Sequence, residues 1–310
     1  MTTYAEVPDN YHEIAPLLET DLTRIIPLFF ASEKIYFYDT CSFRRHSNLT
    51  QNTMQKLTAY FKSRNAVMII TRCVLMELAS SSHLINEEYI RYLSVLSDTG
   101  LPLVLLDEEC LFDILSECFS TNQKVNEYLI WAVRMLKAPA STISLTLQNQ
   151  PKLSEEVLAG KNASHSDLYR RFFSAVRSNK EHSDNLGEEL IGICVHILSH
   201  LPGTADGKLC ILTDDKGAAG NIDAFMARTN AQYQGARIIL FSTPKLIQHI
   251  YQEHFALTKD DLIEILSQGI SGNLRIMSMT SYSLDSQILR MSASELAEKI
   301  MEPNGIYIVF

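Results

Sequence analysis

Four acidic positions, Asp39, Glu77, Glu188 and Asp215, stand where apolar runs give way to helices or turns, and together they could hold divalent cations. In KIYFYDTCSFRRH, residues 34 to 46, Ile35 to Tyr38 form the nearly continuous apolar run of a strand covered on both faces. Asp39 follows at its carboxyl end, the edge at which open α/β sheets bind ligands. Capping the next helix is the other role open to it. In VMIITRCVLMELAS, Glu77 falls roughly one and a half to two turns into a helix, beside Cys73 and Val74. A carboxylate there needs water, a cation or a hydrogen-bond donor unless it lies on a solvated flank. NLGEELIGICVHILSHL puts Glu188 and Glu189 in the first turn of a helix whose apolar residues include Leu190, Ile191, Cys194 and Ile197. The helix dipole alone would favour anions there. KLCILTDDKGAAG ends a strand at Thr213 and continues with Asp214 and Asp215, of which a helix cap needs only one.

The set says more than its members. Two carboxylates near 4 Å repel by roughly 4 kcal/mol at an effective dielectric of 20, so a cluster of them requires protons or a divalent cation. Hard oxygen ligands suit Mg²⁺ or Mn²⁺. Two such ions about 3.5 to 4 Å apart could activate a water and stabilise the leaving oxygen in phosphodiester cleavage, which is nuclease chemistry.

Elements must bring these positions together. Apolar residues at helical spacing between residues 10 and 31 predict an amphipathic helix before the first strand. Further strands are expected at Ala66 to Thr71, Leu101 to Leu106, Lys208 to Thr213 and Arg237 to Ser242, with helical patterns between them. That alternation predicts a parallel α/β sheet. About a hundred mainly helical residues separate Leu106 from Lys208, more than one crossover needs, so an inserted helical layer is expected at about 107–183. Residues 1–32 form an N-terminal helical extension, and 244–310 a C-terminal α+β extension. Within the latter, Lys245 to Phe255, Lys259 to Leu266 and Ser292 to Met301 read as helices, SGNLRIMSMTSYSLDSQ as irregular, and GIYIVF as a closing strand.

With 310 residues, 46% of them hydrophobic, the chain can bury a sizeable core. Its six cysteines form no CxxC pair and read as reduced thiols. The sequence shows neither a cationic leader with a long apolar core nor a charge-free span of membrane length, and a soluble, cytoplasmic protein without membrane contacts is expected. A net charge of −9 argues against a general nucleic-acid coat protein. Yet Thr40 to Met76 contains no acid and six cations, Arg44, Arg45, Lys56, Lys62, Arg64 and Arg72, which could rim an acidic pit and hold a phosphate backbone. A weaker basic run comprises Lys161, Arg170, Arg171, Arg177 and Lys180. The neighbouring Tyr169, Phe172 and Phe173 could stack on bases or fill a helix core. His196 and His200 have zinc-like spacing, but the Glu of an HExxH motif is absent, and they read as helix-surface or core residues.

YDTCSF, ITRCVLMEL, GEELIGICVHIL and LTDDKGAAG, in that order over roughly residues 33 to 243, resemble the motifs of the PIN domain family of metal-dependent ribonucleases. The resemblance implies a parallel sheet sandwiched by helices across 33–243, with Mg²⁺ or Mn²⁺ at its carboxyl edge and RNA as substrate. It selects Asp215 through the spacing Thr213-x-Asp215, with Asp214 the alternative, and Glu188 over Glu189 through the Gly-Glu spacing. By the same resemblance Asp39 and Asp215 would be the main metal ligands, and Glu77 and Glu188 would bind the metal or orient its water. Thr40 and Thr213 would hydrogen-bond the carboxylates, and Arg44 and Arg45 would contact phosphates. DNA as substrate, an inactive PIN-like scaffold for nucleic acid or protein, and a homo-oligomer or protein partner bound through the insertion remain the other expectations.

Overall fold

A computed structural model describes residues 4–79, 82–136, 141–160, 165–280 and 283–310. Strands β1 (Lys34–Tyr38), β2 (Ala66–Thr71), β3 (Leu103–Leu106), β4 (Leu209–Leu212) and β5 (Ile239–Phe241) form one sheet in the order β3-β2-β1-β4-β5. All four pairings are parallel. Residues Ile35 to Tyr38 and every residue of β2, β3 and β4 are buried, as strands covered on both faces by helices must be. The chain is therefore an α/β protein with a five-stranded parallel sheet flanked by helices.

Strand order reverses between β1 and β4: the chain runs outward from β1 through β2 to β3, then returns to β1's other side. Ligand crevices form at such switch points, beyond the carboxyl ends of the strands. The register sets Tyr38 beside Leu212, so Asp39 and Thr213 emerge side by side from the two central strands.

The segment between β3 and β4 is helical, with helices Leu111–Ser116, Asn122–Met135, Thr142–Asn149, Pro151–Leu158 and Leu168–Ser178 ahead of helix Leu186–Leu198. Tyr169, Phe172 and Phe173 are fully buried within it. They fill its core rather than offering faces to bases. Lys161 lies outside the described residues.

The N-terminal extension differs from the single helix expected. Helices Tyr11–Ile14 and Leu22–Ala31 are parted by a 3₁₀ turn, Ala15–Leu17, whose second residue is Pro16, and by an extended stretch. There Glu19 runs beside β3, its amide donating to the Leu103 carbonyl (2.7 Å) and its carbonyl accepting from the Leu105 amide (3.1 Å). It thereby covers an otherwise open sheet edge.

The C-terminal stretch read as irregular is a hairpin. Strands β6 (Leu274–Thr280) and β7 (Ser283–Met291) pair antiparallel, and β8 (Tyr307–Ile308) joins β6 on its other side. Leu274, Ile276 and Ser278 are buried on β6, so a serine on the inner face interrupts the apolar alternation that would have betrayed the strand. This small sheet packs on the main body: Gln248 donates to the Ile306 carbonyl (2.6 Å) and accepts from the Ile308 amide (2.8 Å). No helix among the described residues is long and apolar enough to cross a membrane.

Candidate active site

Beyond the carboxyl ends of β1 and β4 lies an open cavity of about 310 Å³ lined by Asp39, Glu77, Glu188 and Asp215 together with Thr40, Arg44, Lys180 and Asp184. Four acids as far apart in sequence as residues 39 and 215 thus share one concavity.

Each arrives by a local rule. Asp39 caps helix Thr40–Ser47, its Oδ1 accepting from the Thr40 amide (2.8 Å). Its Oδ2 accepts from the Thr213 hydroxyl (2.7 Å) and the Cys41 thiol (2.9 Å), so capping and lining the cavity are compatible roles. Burial raises its pKa, donors from Cys41, Thr213 and the Thr40 amide oppose this, and the Glu77 charge adds to it. Glu77 sits on helix Arg72–Leu78, begun by Thr71, whose hydroxyl accepts from the Val74 amide. Its carboxylate accepts from the Thr40 hydroxyl and pairs with Lys180 Nζ (2.9 Å). Glu188, in the first turn of Leu186–Leu198, accepts from Asn221 (2.7 Å). Burial lifts its pKa most; Asn221 lowers it, and Asp215, Asp39 and Glu77 each push it higher.

Asp214 and Asp215 divide two tasks. Asp215 caps helix Lys216–Asn230, with Oδ1 accepting from the Gly217 (2.7 Å) and Ala218 (3.1 Å) amides. Asp214 turns inward to a network of Arg45 (3.1 Å), Ser42 (2.9 Å) and Thr243, whose amide (2.8 Å) and hydroxyl (2.5 Å) both donate to it. Although burial works against it, Arg45, His46 and Thr243 hold the Asp214 carboxyl below its usual range. Asp214 does not line the cavity.

Arg44 and Arg45 part company in the same way. Arg44 is exposed, lines the cavity and donates to the Glu77 carbonyl (2.8 Å). Arg45 is buried, and besides Asp214 it reaches the Leu266 carbonyl (2.6 Å). Other cations of the 40–76 run meet distant acids, Lys56 with Asp261 (2.7 Å), Arg64 with Glu253 (2.5 Å) and Arg72 with Asp107 (3.4 Å). From that run, the cavity receives Arg44.

Glu189, adjacent to Glu188, points elsewhere. It is buried near Ser141 and the Ile143 amide, and neither carboxyl oxygen reaches hydrogen-bond geometry with a described residue. Burial pushes it up to about 7. His196, buried, and His200, half-buried, pack ring edge to face, and burial lowers both below the usual range.

Three participants were not singled out by the sequence. Lys180, read there as a member of a basic run, enters the acidic cavity from the segment after helix Leu168–Ser178. Asp184, four residues on, pairs with it and accepts from the Glu181 (2.8 Å) and Leu186 (3.2 Å) amides. At Gly187 an added Cβ would lie 2.7 Å from Glu77 Oε1, so the bare backbone makes room for that carboxylate. The lysine–aspartate spacing and the Gly-Glu step were the available signals.

The donors are all oxygens of hard character, which suits Mg²⁺ or Mn²⁺. Asp215 Oδ2 and Glu188 Oε2 accept no hydrogen bond from the described residues. As they stand, no three His, Cys, Asp or Glu side chains among the described residues are grouped to hold a metal ion. Compared with known proteins, the chain matches no family model, no curated protein and no solved structure.

Proposed function

We propose that the protein is a metal-dependent phosphodiesterase of PIN type, an endoribonuclease whose site is the acidic cavity at the β1/β4 switch point. The observation that carries this reading is the convergence of Asp39, Glu77, Glu188 and Asp215 on that single concavity, open to solvent and edged by Arg44. Asp39, Glu188 and Asp215 are the groups that would hold Mg²⁺ or Mn²⁺, and Glu77, paired with Lys180, lines the cavity beside them. The chemistry such an ion supplies is activation of a water and neutralisation of charge on the phosphodiester. Thr213 and Thr40 fix the carboxylates of Asp39 and Glu77, so the acidic groups need little reorganisation. Arg44 offers an exposed guanidinium for a phosphate oxygen.

A second reading, a PIN-like scaffold without turnover, draws on one observation: Lys180 already neutralises Glu77. Incubating the protein with single-stranded RNA, and with DNA of the same sequence, in Mn²⁺ or Mg²⁺ separates the two. Metal-dependent cleavage of RNA that Asp39→Asn abolishes without unfolding the chain is expected. Cleavage that survives Asp39→Asn, or no cleavage of any tested strand, speaks for the scaffold.

A further inference from the structure

The Lys180 side chain is 2% exposed, and its ammonium lies 2.9 Å from Glu77 Oε1 and against the Asp184 carboxylate. The Tyr4 ring covers it at 5.2 Å. A charge so enclosed must be paired to be tolerated, and its position is enforced from one turn earlier. There Arg177, 1% exposed, pairs with Glu6 (3.1 Å), Asp107 (3.0 Å), Glu108 (2.7 Å) and Glu109 (2.7 Å). Those partners pin the end of helix Leu168–Ser178 between the N-terminal segment and the residues that follow β3. Lys180 is therefore held in the acidic cavity rather than sampling it.

We propose that Lys180 is a built-in cation standing in for one of the two divalent ions expected of such a site. Glu77 and Asp184 are committed to the lysine, and the site takes a single divalent ion on the side of Asp39, Glu188 and Asp215. The inference rests on the metal-dependent reading above and specifies its stoichiometry. One positive charge at this edge is supplied by the chain itself. Two acceptors unused by the described residues mark the open side, Asp215 Oδ2 and Glu188 Oε2.

Mn²⁺ binding to the full chain, followed by titration calorimetry and by the electron spin resonance of free Mn²⁺, tests this without a substrate. The wild type is expected to bind one ion. Glu77→Gln is expected to keep that ion with less than ~tenfold change in affinity, under 1.4 kcal/mol, whereas Asp39→Asn loses it. Lys180→Met, which leaves two acids unpaired, is expected to gain a second ion, and Lys180→Arg is not. Should Lys180→Met not fold, the wild-type count and the Glu77→Gln affinity still decide. Two ions on the wild type, or loss of binding in Glu77→Gln, would overturn the role of Lys180 and leave metal-dependent chemistry standing. No ion on any variant would overturn both.

Discussion

The Thr213 hydroxyl donates to Asp39 Oδ2 at 2.7 Å, joining the ends of the two strands that flank the switch point. Thr213 is wholly buried, so the bond is shielded from water. Thr213→Val keeps the shape and removes the donor. It is expected to destabilise the fold by about 1–3 kcal/mol in urea denaturation, and to weaken Mn²⁺ binding by freeing the Asp39 carboxylate to rotate. Unchanged stability would show that the hydroxyl does not hold Asp39.

Gly187 and Glu77 share a space that a methyl group would fill. Gly187→Ala must move the Glu77 carboxylate or the start of helix Leu186–Leu198, at a cost of about 1–3 kcal/mol for overpacking. Alanine's better helix propensity offsets up to about 1 kcal/mol of this. The expected result is reduced thermal stability together with loss of cleavage; stability at or above wild type would mean that the carboxylate has room to yield.

The adjacent arginines give opposite outcomes. Arg45→Ala leaves the largely enclosed Asp214 carboxylate without its cation and is expected to cost about 3 kcal/mol of stability. Arg44→Ala is expected to stay within about 0.5 kcal/mol of wild type. Its effect falls on RNA affinity, with the slope of log affinity against log salt reduced by about 1. A stable Arg45→Ala protein with weakened RNA binding would reverse these roles.

Glu189 gives a pH signature. Its carboxyl is raised to about 7 in the folded chain, chiefly by burial, against 4.5 ordinarily. Between those values the folded state holds the proton more tightly, so this group makes stability fall as pH rises from 4.5 to about 7. Below that window both states are protonated and the contribution is nil. Glu189→Gln is expected to be more stable than wild type at pH 8, by on the order of 1–3 kcal/mol, with the gain fading towards pH 4. Parallel stability curves for the two proteins across that range would contradict the buried-acid assignment.

The sheet was legible in the sequence because β1, β2 and β4 are short apolar runs, each ending at an acid or a threonine, and patterns of that kind survive without knowledge of neighbours. The four acids were legible for the same reason. What distinguishes Arg44 from Arg45, Asp214 from Asp215, or Glu188 from Glu189 is a rotation of one residue, and that is decided by partners such as Thr243 and Leu266, far along the chain. Lys180 was hidden differently: among Arg170, Arg171 and Arg177 it resembles a solvated basic face, and its burial follows from the Arg177 pairings. The hairpin was missed because Ser278 occupies an inward position.

The switch point also sets a timetable. Chains emerge and begin to fold from the amino end during synthesis, and β1 gains its second neighbour only when β4, residues 209–212, has been made. Until then Asp39 lacks its bond to Thr213, and the groove beside β1 is an unfilled strand position. A ribosome-bound chain stopped before residue 209 should carry β1 to β3 yet leave that groove open to a chaperone or to another nascent copy.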